Sequence, residues 1–222
     1  RLGDHPGVVA GQNWYAPNRL WGDATFDPIF ERLVELDLPL CLHVGGVPRA
    51  RYDLVEDSME TYPEYMVANV GHQVLANVTN MVCTGVFERY PDLNVVLQEG
   101  GVNWIPYAAY RTDEVYQVGP EDVRFAERNH ADGRDYLSKL PSEYIFENMW
   151  VTTQPIALPK RPEQARGVLT ATRAPEMFLF ATDWPHHTMD RPDWLFEGNV
   201  VEEDDRRRIL RENARDVFRF PE

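Results

Sequence analysis

The sequence predicts a parallel α/β fold, and three observations carry that prediction. Five short apolar runs of strand character alternate with stretches whose apolar residues recur at helical spacing. Where the runs are clearest they are apolar at nearly every position, as expected of strands covered on both faces. Two of them close on side chains able to bind a metal or move a proton: His43 before Gly45-Gly46, and Asp183 before Trp184-Pro185. In a barrel of parallel strands, the C-terminal strand ends are where catalytic side chains project.

The elements follow in order. Val8 to Asn13 reads as a short strand. Asp27 reads as an N-cap with Pro28 at the first helical position, opening a helix whose apolar stripe is Ile29, Phe30, Leu33, Val34 and Leu36. Pro39 to Val44 is the second strand. A loop rich in Pro, Arg and Asp runs from Gly45 to Pro63. Val67, Val70, Val74, Val78 and Met81 then mark a long helix reaching about Cys83. Asn94 to Gln98 is the third strand, followed by Gly100-Gly101 and a helix from Val102 to Val115. Gln117 to Glu147 is polar and reads as irregular with short helical pieces. Met149 to Thr153 and Met177 to Ala181 are the fourth and fifth strands. A charged helix from Glu202 to Phe218 closes the chain, with Asp204 and Asp205 at its positive end and Ile209, Leu210, Ala214, Val217 and Phe218 inward.

Composition narrows the function classes. The chain has 222 residues, 43% hydrophobic and 12% aromatic, which is globular. With 22 Lys and Arg against 36 Asp and Glu, the formal charge is −14. A field of that sign repels nucleic-acid phosphates and anionic membranes, so the expected partner is a small-molecule substrate. No apolar run approaches the ~18–20 residues that span a bilayer. No signal-peptide pattern opens the chain, and a cytoplasmic location is expected. Two cysteines, Cys41 and Cys83, read as buried thiols of a reducing compartment. Cys41 has only Leu40 and Leu42 beside it and no base to make it a nucleophile.

Four stretches together resemble the amidohydrolase-related family, the branch of metal-dependent hydrolases and decarboxylases that includes aminocarboxymuconate-semialdehyde decarboxylase. They are Leu40-Cys41-Leu42-His43-Val44-Gly45-Gly46; Gly85-Val86-Phe87-Glu88-Arg89-Tyr90-Pro91-Asp92-Leu93 with Glu99-Gly100-Gly101; Ala181-Thr182-Asp183-Trp184-Pro185-His186; and Glu212-Asn213-Ala214. Pro141-Ser142-Glu143-Tyr144 adds to them. The resemblance implies a TIM-type (β/α)₈ barrel, present as a partial barrel of about strands four to eight over residues 1–222. His43 then ends strand five as a metal ligand. Asp183 ends strand eight as a ligand that also handles the proton of an attacking water. The first-strand His-x-His pair has no counterpart here, and the abrupt start at Arg1 leads us to expect a longer chain. Open strand edges would invite self-association, and a homodimer is among the expected states.

The resemblance implies a divalent metal: zinc suits a His/Asp set, with manganese or iron as alternatives. Many decarboxylase members carry His before the Gly-Gly that ends strand six, where this chain has Glu99. An extra anion there disfavours a carboxylated substrate, so the expected activity is metal-dependent hydrolysis of a small organic acid, amide or ester. Non-oxidative decarboxylation is the alternative, and a non-catalytic barrel scaffold is a third reading. A phosphate-binding α/β protein is weaker still, because neither Gly-Gly pair makes a phosphate-cradling loop.

Each residue also has a bland reading. His43 could be a satisfied core histidine and Asp183 a turn cap; strand-end position favours the metal role for both. Glu99 fits a catalytic role or an ion pair with an arginine below the site. Arg49 and Arg51 on the loop after His43 could clamp a substrate carboxylate, or be solvated. His186, beside His187 on the loop after Asp183, is a candidate substrate contact. Trp104, Trp150 and Trp184 read as core or pocket wall, and His5, His72 and His130 as structural.

Overall fold

A computed structural model describes residue 3 and residues 5–15, 19–45, 60–120, 137–197, 200–218 and 220. Its apolar runs form one five-stranded parallel sheet: β1 (Gly11–Trp14), β2 (Leu40–His43), β3 (Val95–Gln98), β4 (Met149–Thr152) and β5 (Phe178–Leu179). Each strand pairs with its predecessor in sequence, in the order β1-β2-β3-β4-β5. A doubly wound sheet reverses its strand order at a switch point. This one never does, which is the winding of an arc of an α/β barrel.

The register divides the sheet into two faces. Leu40, Leu42, Val95, Leu97, Met149, Val151 and Phe178 lie on the outer face and join the main core. There they meet helices α1 (Asp27–Leu36) through Phe30 and Leu33, and α3 (Val70–Cys83) through Val74, Val78 and Met81. Helix α2 (Tyr62–Glu64) and a π-helical segment (Tyr65–Asn69) lead into α3. On the inner face Cys41, Val96 and Leu179 pack with Val217 of the last helix. Both cysteines are free, and burial pushes the Cys41 thiol up to about 12.

The motif Gly85 to Leu93 acts as a clasp. Gly85, at φ 68, turns the chain from α3 into α4 (Val86–Arg89). Arg89 donates to the carbonyls of Thr84 and Gly85 and, through Nη2, to Asp27 Oδ1 of α1 at 2.9 Å. Glu88 faces the other way and accepts from Ser138 N at 2.7 Å and from the Tyr144 hydroxyl. Tyr144 lies on α6 (Pro141–Asn148), which follows α5 (Ile105–Val118). One turn of helix thereby fixes three neighbours.

Several sequence expectations need correction. Asp27 is the first residue of α1 and not its N-cap; Asp23 caps the 3₁₀ turn Ala24–Phe26 by accepting from Thr25 N. Helices α7 (Pro162–Ala171) and α8 (Ala174–Met177) lie between β4 and β5, where the reading placed nothing. The terminal helix is broken into α9 (Glu203–Arg207), a π segment (Arg208–Glu212) and α10 (Asn213–Val217), and Leu210 turns outward. Its π turn also changes the expectation of a bare sheet edge. Phe180 N donates to Ile209 O at 3.1 Å, and Asn213 Nδ2 donates to Phe178 O at 2.9 Å. The outer edge of β5 is therefore satisfied by the chain's own last helix.

Arg89→Ala would remove the guanidinium donor from the Asp27 carboxylate and from Thr84 O, while Gly85 O keeps the backbone amide of residue 89. We expect a loss of about 3 kcal/mol, the low end for removing one partner of a buried pair. A lower urea midpoint at unchanged m-value would show it; an unchanged midpoint would mean that the clasp contributes nothing.

Candidate functional site

Because the strands are parallel, their C-terminal ends share one edge, and the sheet register decides what stands there. His43 is the last residue of β2 and, two residues on from Cys41, lies on the inner face. Its Nδ1 lies 2.7 Å from Val44 O, an acceptor, so Nδ1 carries a hydrogen. Its Nε2 lies 2.6 Å from Glu99 Oε1, with the two side chains 28% and 25% exposed. The contact brings an imidazole nitrogen and a carboxylate oxygen together at the strand ends, and with Nδ1 turned to Val44 O it is Nε2 that faces the site. Glu99 is thus in contact with His43, and among the described residues it forms no ion pair with an arginine.

Glu99 takes the left-handed conformation (φ 54), as does Asp183 (φ 58). For residues other than glycine this costs on the order of 1–3 kcal/mol each, and such residues cluster at functional sites. Glu99 is fixed by its own amide, which donates to Thr152 Oγ1 at 3.1 Å. The next residue must be small: a Cβ on Gly100 would meet Val74 Cγ2 at 2.7 Å and the Tyr15 hydroxyl at 2.8 Å. Tyr15 is fully buried and donates to Gln98 O at 3.0 Å. Burial first, and the Glu99 charge second, raise its pKa well above the usual tyrosine range, so it remains a donor.

Asp183 stands on the loop after β5, because the paired strand is shorter than the apolar run. Its Oδ2 is buried and makes no hydrogen bond among the described residues. His186 Nδ1 is 3.0 Å from that oxygen but bonds Thr188 Oγ1 at 2.6 Å. A buried acceptor left unpaired costs about 1–3 kcal/mol, and a cation or a ligand donor would relieve it. Beyond it, His187 Nε2 meets the Tyr62 hydroxyl at 2.8 Å, and the His186 and His187 rings lie 4.3 Å apart. The loop after β5 is thereby tied to the start of α2. Its other end is held by Asp190, which accepts from Ile156 N at 2.6 Å and donates its amide to Thr182 O.

The structure brings His43 and Glu99 into contact and places Asp183 and His186 at the same end of the sheet. Among the described residues no group of three or more His, Cys, Asp or Glu side chains is arranged to hold a metal ion. The donors that are present, an imidazole nitrogen, a carboxylate oxygen beside it and an unpartnered buried carboxylate oxygen, are of the kind that zinc or manganese accepts. Arg49, Arg51 and His130 lie outside the described residues. Trp184 is 74% exposed and forms no wall. The sequence reading passed over Tyr15, Thr152, Trp14 and Gln98. Only Gln98 carried a usable signal, as the terminal residue of a strand run.

Comparison with known proteins agrees with this geometry. Residues 4–220 match the amidohydrolase family model, and the chain belongs to that family. It is 26% identical over 200 residues to a gamma-resorcylate decarboxylase of Rhizobium radiobacter, covering 88% of this chain and 54% of that protein. The fold matches 5-carboxyvanillate decarboxylase of Sphingomonas paucimobilis with TM-score 0.73 at 21% identity, covering 100% of this chain and 61% of that one. It also matches a dihydroxybenzoic acid decarboxylase of Polaromonas sp. JS666, solved with manganese and 2-nitroresorcinol, with TM-score 0.62 at 20% identity over 90% and 55% of the two chains. These neighbours are amidohydrolase barrels, and the parallel sheet of this chain is a partial barrel of that type. The chain spans about half the length of the curated relatives it matches.

Asp190 offers a test of the loop framework. Burial, partly offset by the Ile156 amide, raises its folded-state pKa above the usual aspartate value. Its stabilising contribution is then present below the unfolded-state pKa and lost as pH rises through the folded one. Asp190→Asn keeps an acceptor for Ile156 N and removes the ionisation. Its Tm relative to the parent protein should therefore improve between about pH 4 and pH 7. A pH-independent difference would contradict the assignment.

Proposed function

We propose that this chain carries the catalytic strand ends of a metal-dependent, non-oxidative decarboxylase acting on an aromatic carboxylic acid. Two things support decarboxylation over the hydrolysis that the sequence favoured. Curated relatives at this level of similarity include gamma-resorcylate decarboxylases and the decarboxylase orsB. The geometric observation that carries the reading is the 2.6 Å contact between His43 Nε2 and Glu99 Oε1. It removes the objection that a bare Glu99 would repel a carboxylated substrate.

Cleavage of an aryl carboxylate breaks the bond between ring and carboxyl carbon, releases CO₂ and leaves an electron pair on the ring carbon. One proton must arrive there. Glu99, whose Oε1 stands 2.6 Å from His43 Nε2 at the edge where the ring would sit, is the residue we assign to deliver it. Tyr15, Gly100 and the Thr152 hydroxyl fix Glu99 in its strained conformation, so the acid is held in place before substrate binds. His43 and the unpartnered Asp183 Oδ2 are the residues we assign to a divalent metal. That ion would orient the substrate oxygens and stabilise charge developing on them. Zinc remains compatible with these donors, and manganese suits them equally; it is the ion bound in the Polaromonas enzyme.

Incubation with manganese and 2,6-dihydroxybenzoate, with CO₂ release followed, tests the reading. Metal-dependent CO₂ release is expected, reduced on the order of 10²–10³-fold by Asp183→Asn at unchanged circular dichroism. Ester or amide cleavage without CO₂ release would restore the hydrolase reading. Absence of any metal-dependent turnover would favour a scaffold.

A further inference from the structure

The inner face of the sheet carries more at its C-terminal edge than the residues already assigned. Trp14 of β1, His43 of β2 and Gln98 of β3 are direct register partners, Trp14 to His43 and His43 to Gln98. In-register residues of parallel strands point to the same face. Trp14 and Gln98 therefore flank His43 on either side, one layer above the Cys41–Val96 layer that Val217 seals.

Neither flanking residue is explained by the fold. Trp14 is 45% exposed although it stands on the face that a barrel turns inward. Its ring meets His43 edge-on, with centroids 5.7 Å apart and planes at 86°. That contact uses the indole against His43 without covering it with another core side chain. Gln98 shows the opposite anomaly. Its Oε1 is buried and has no hydrogen-bond partner among the described residues, while its backbone carbonyl is taken by the Tyr15 hydroxyl. A half-exposed aromatic face and a buried, unpaired acceptor thus stand on either side of the His43–Glu99 pair.

We infer that Trp14 and Gln98 form the recognition surface for the substrate ring: Trp14 packs against a planar aromatic ring, and Gln98 Oε1 accepts a hydrogen bond from a ring hydroxyl. The inference rests on the decarboxylase reading and deepens it. Aromatic rings pack on indole with a geometric preference that an aliphatic acid cannot match. The chemistry of Gln98 sets the polarity. Its unpaired oxygen takes a donor, so a hydroxyl suits it and a carboxylate does not. The substrate carboxylate is therefore turned away from Gln98, toward the Asp183 side of the edge. A site with a buried group awaiting a hydroxyl rejects the analogue that lacks it, because the acceptor is then left unpaired.

Calorimetric titration of the full chain with 2,6-dihydroxybenzoate, benzoate and cyclohexanecarboxylate tests this. We expect binding in that order of strength. Trp14→Ala should weaken both aromatic acids by about tenfold and Trp14→Phe should restore most of the loss. Gln98→Leu should keep benzoate binding and bring the dihydroxybenzoate-to-benzoate ratio to about one. Folded variants that retain the parent order and ratios would overturn the inference alone, with CO₂ release by the parent leaving the function intact. A parent protein that binds none of the three acids overturns both.

Discussion

Everything at this site depends on the register of a parallel sheet wound in sequence order. Because β1 to β5 run the same way and pair in succession, their last residues are brought to a single edge without any contact having to select them. The side-chain period of two then decides which of those residues face the barrel interior. A slip of one residue in β2 would turn His43 into the helix layer and bring Leu42 to the inner face. Such a slip is prevented by the outer face, where Leu40, Leu42, Val95 and Leu97 are all buried against helices. Apolar packing on one side of the sheet thus fixes the polar chemistry on the other.

Around this scaffold the polar groups divide into two populations. Those that hold the fold use their donors to tie elements together. Arg89 bridges two helices, Asn148 donates to Pro91 O and Leu93 O, and Asn213 closes the outer edge of β5. Those at the strand ends are strained or left wanting a partner: Glu99 and Asp183 in the left-handed region, Asp183 Oδ2 and Gln98 Oε1 buried without hydrogen bonds. The His43–Glu99 contact stands among the second population, at the strand ends.

Much of this was legible in the residues. Apolar runs placed β2, β3 and β4 to within two residues, as expected of strands such as Leu40-Cys41-Leu42 and Val95-Val96-Leu97 that are buried on both faces. β1, with Gln12 and Asn13 in it, begins three residues later than Val8, and the pairing of β5 is shorter than its run. The helix α7 was missed despite Pro162 at its start, since its stripe is reduced to Ala165 and Leu169. The π turn of the last helix was invisible, as it goes with packing on β5 and not with local preference. At the site, His43 and Asp183 stood out through the glycine and proline that follow them. The partner of Glu99 could not be read, because the contact joins residues 43 and 99 through two strands whose register is a property of the whole sheet. Trp14 and Gln98 were hidden for the same reason: each looks like an ordinary strand residue until the strands are aligned.

The central claim is that His43 and Asp183, brought to one edge by the sheet, hold a single divalent ion. Titration of the protein with Mn²⁺, followed by the loss of the free-ion electron paramagnetic resonance signal, tests it most directly. The account predicts one bound ion per chain, with binding lost in both His43→Ala and Asp183→Ala while circular dichroism is unchanged. Manganese binding that survives both substitutions would contradict it.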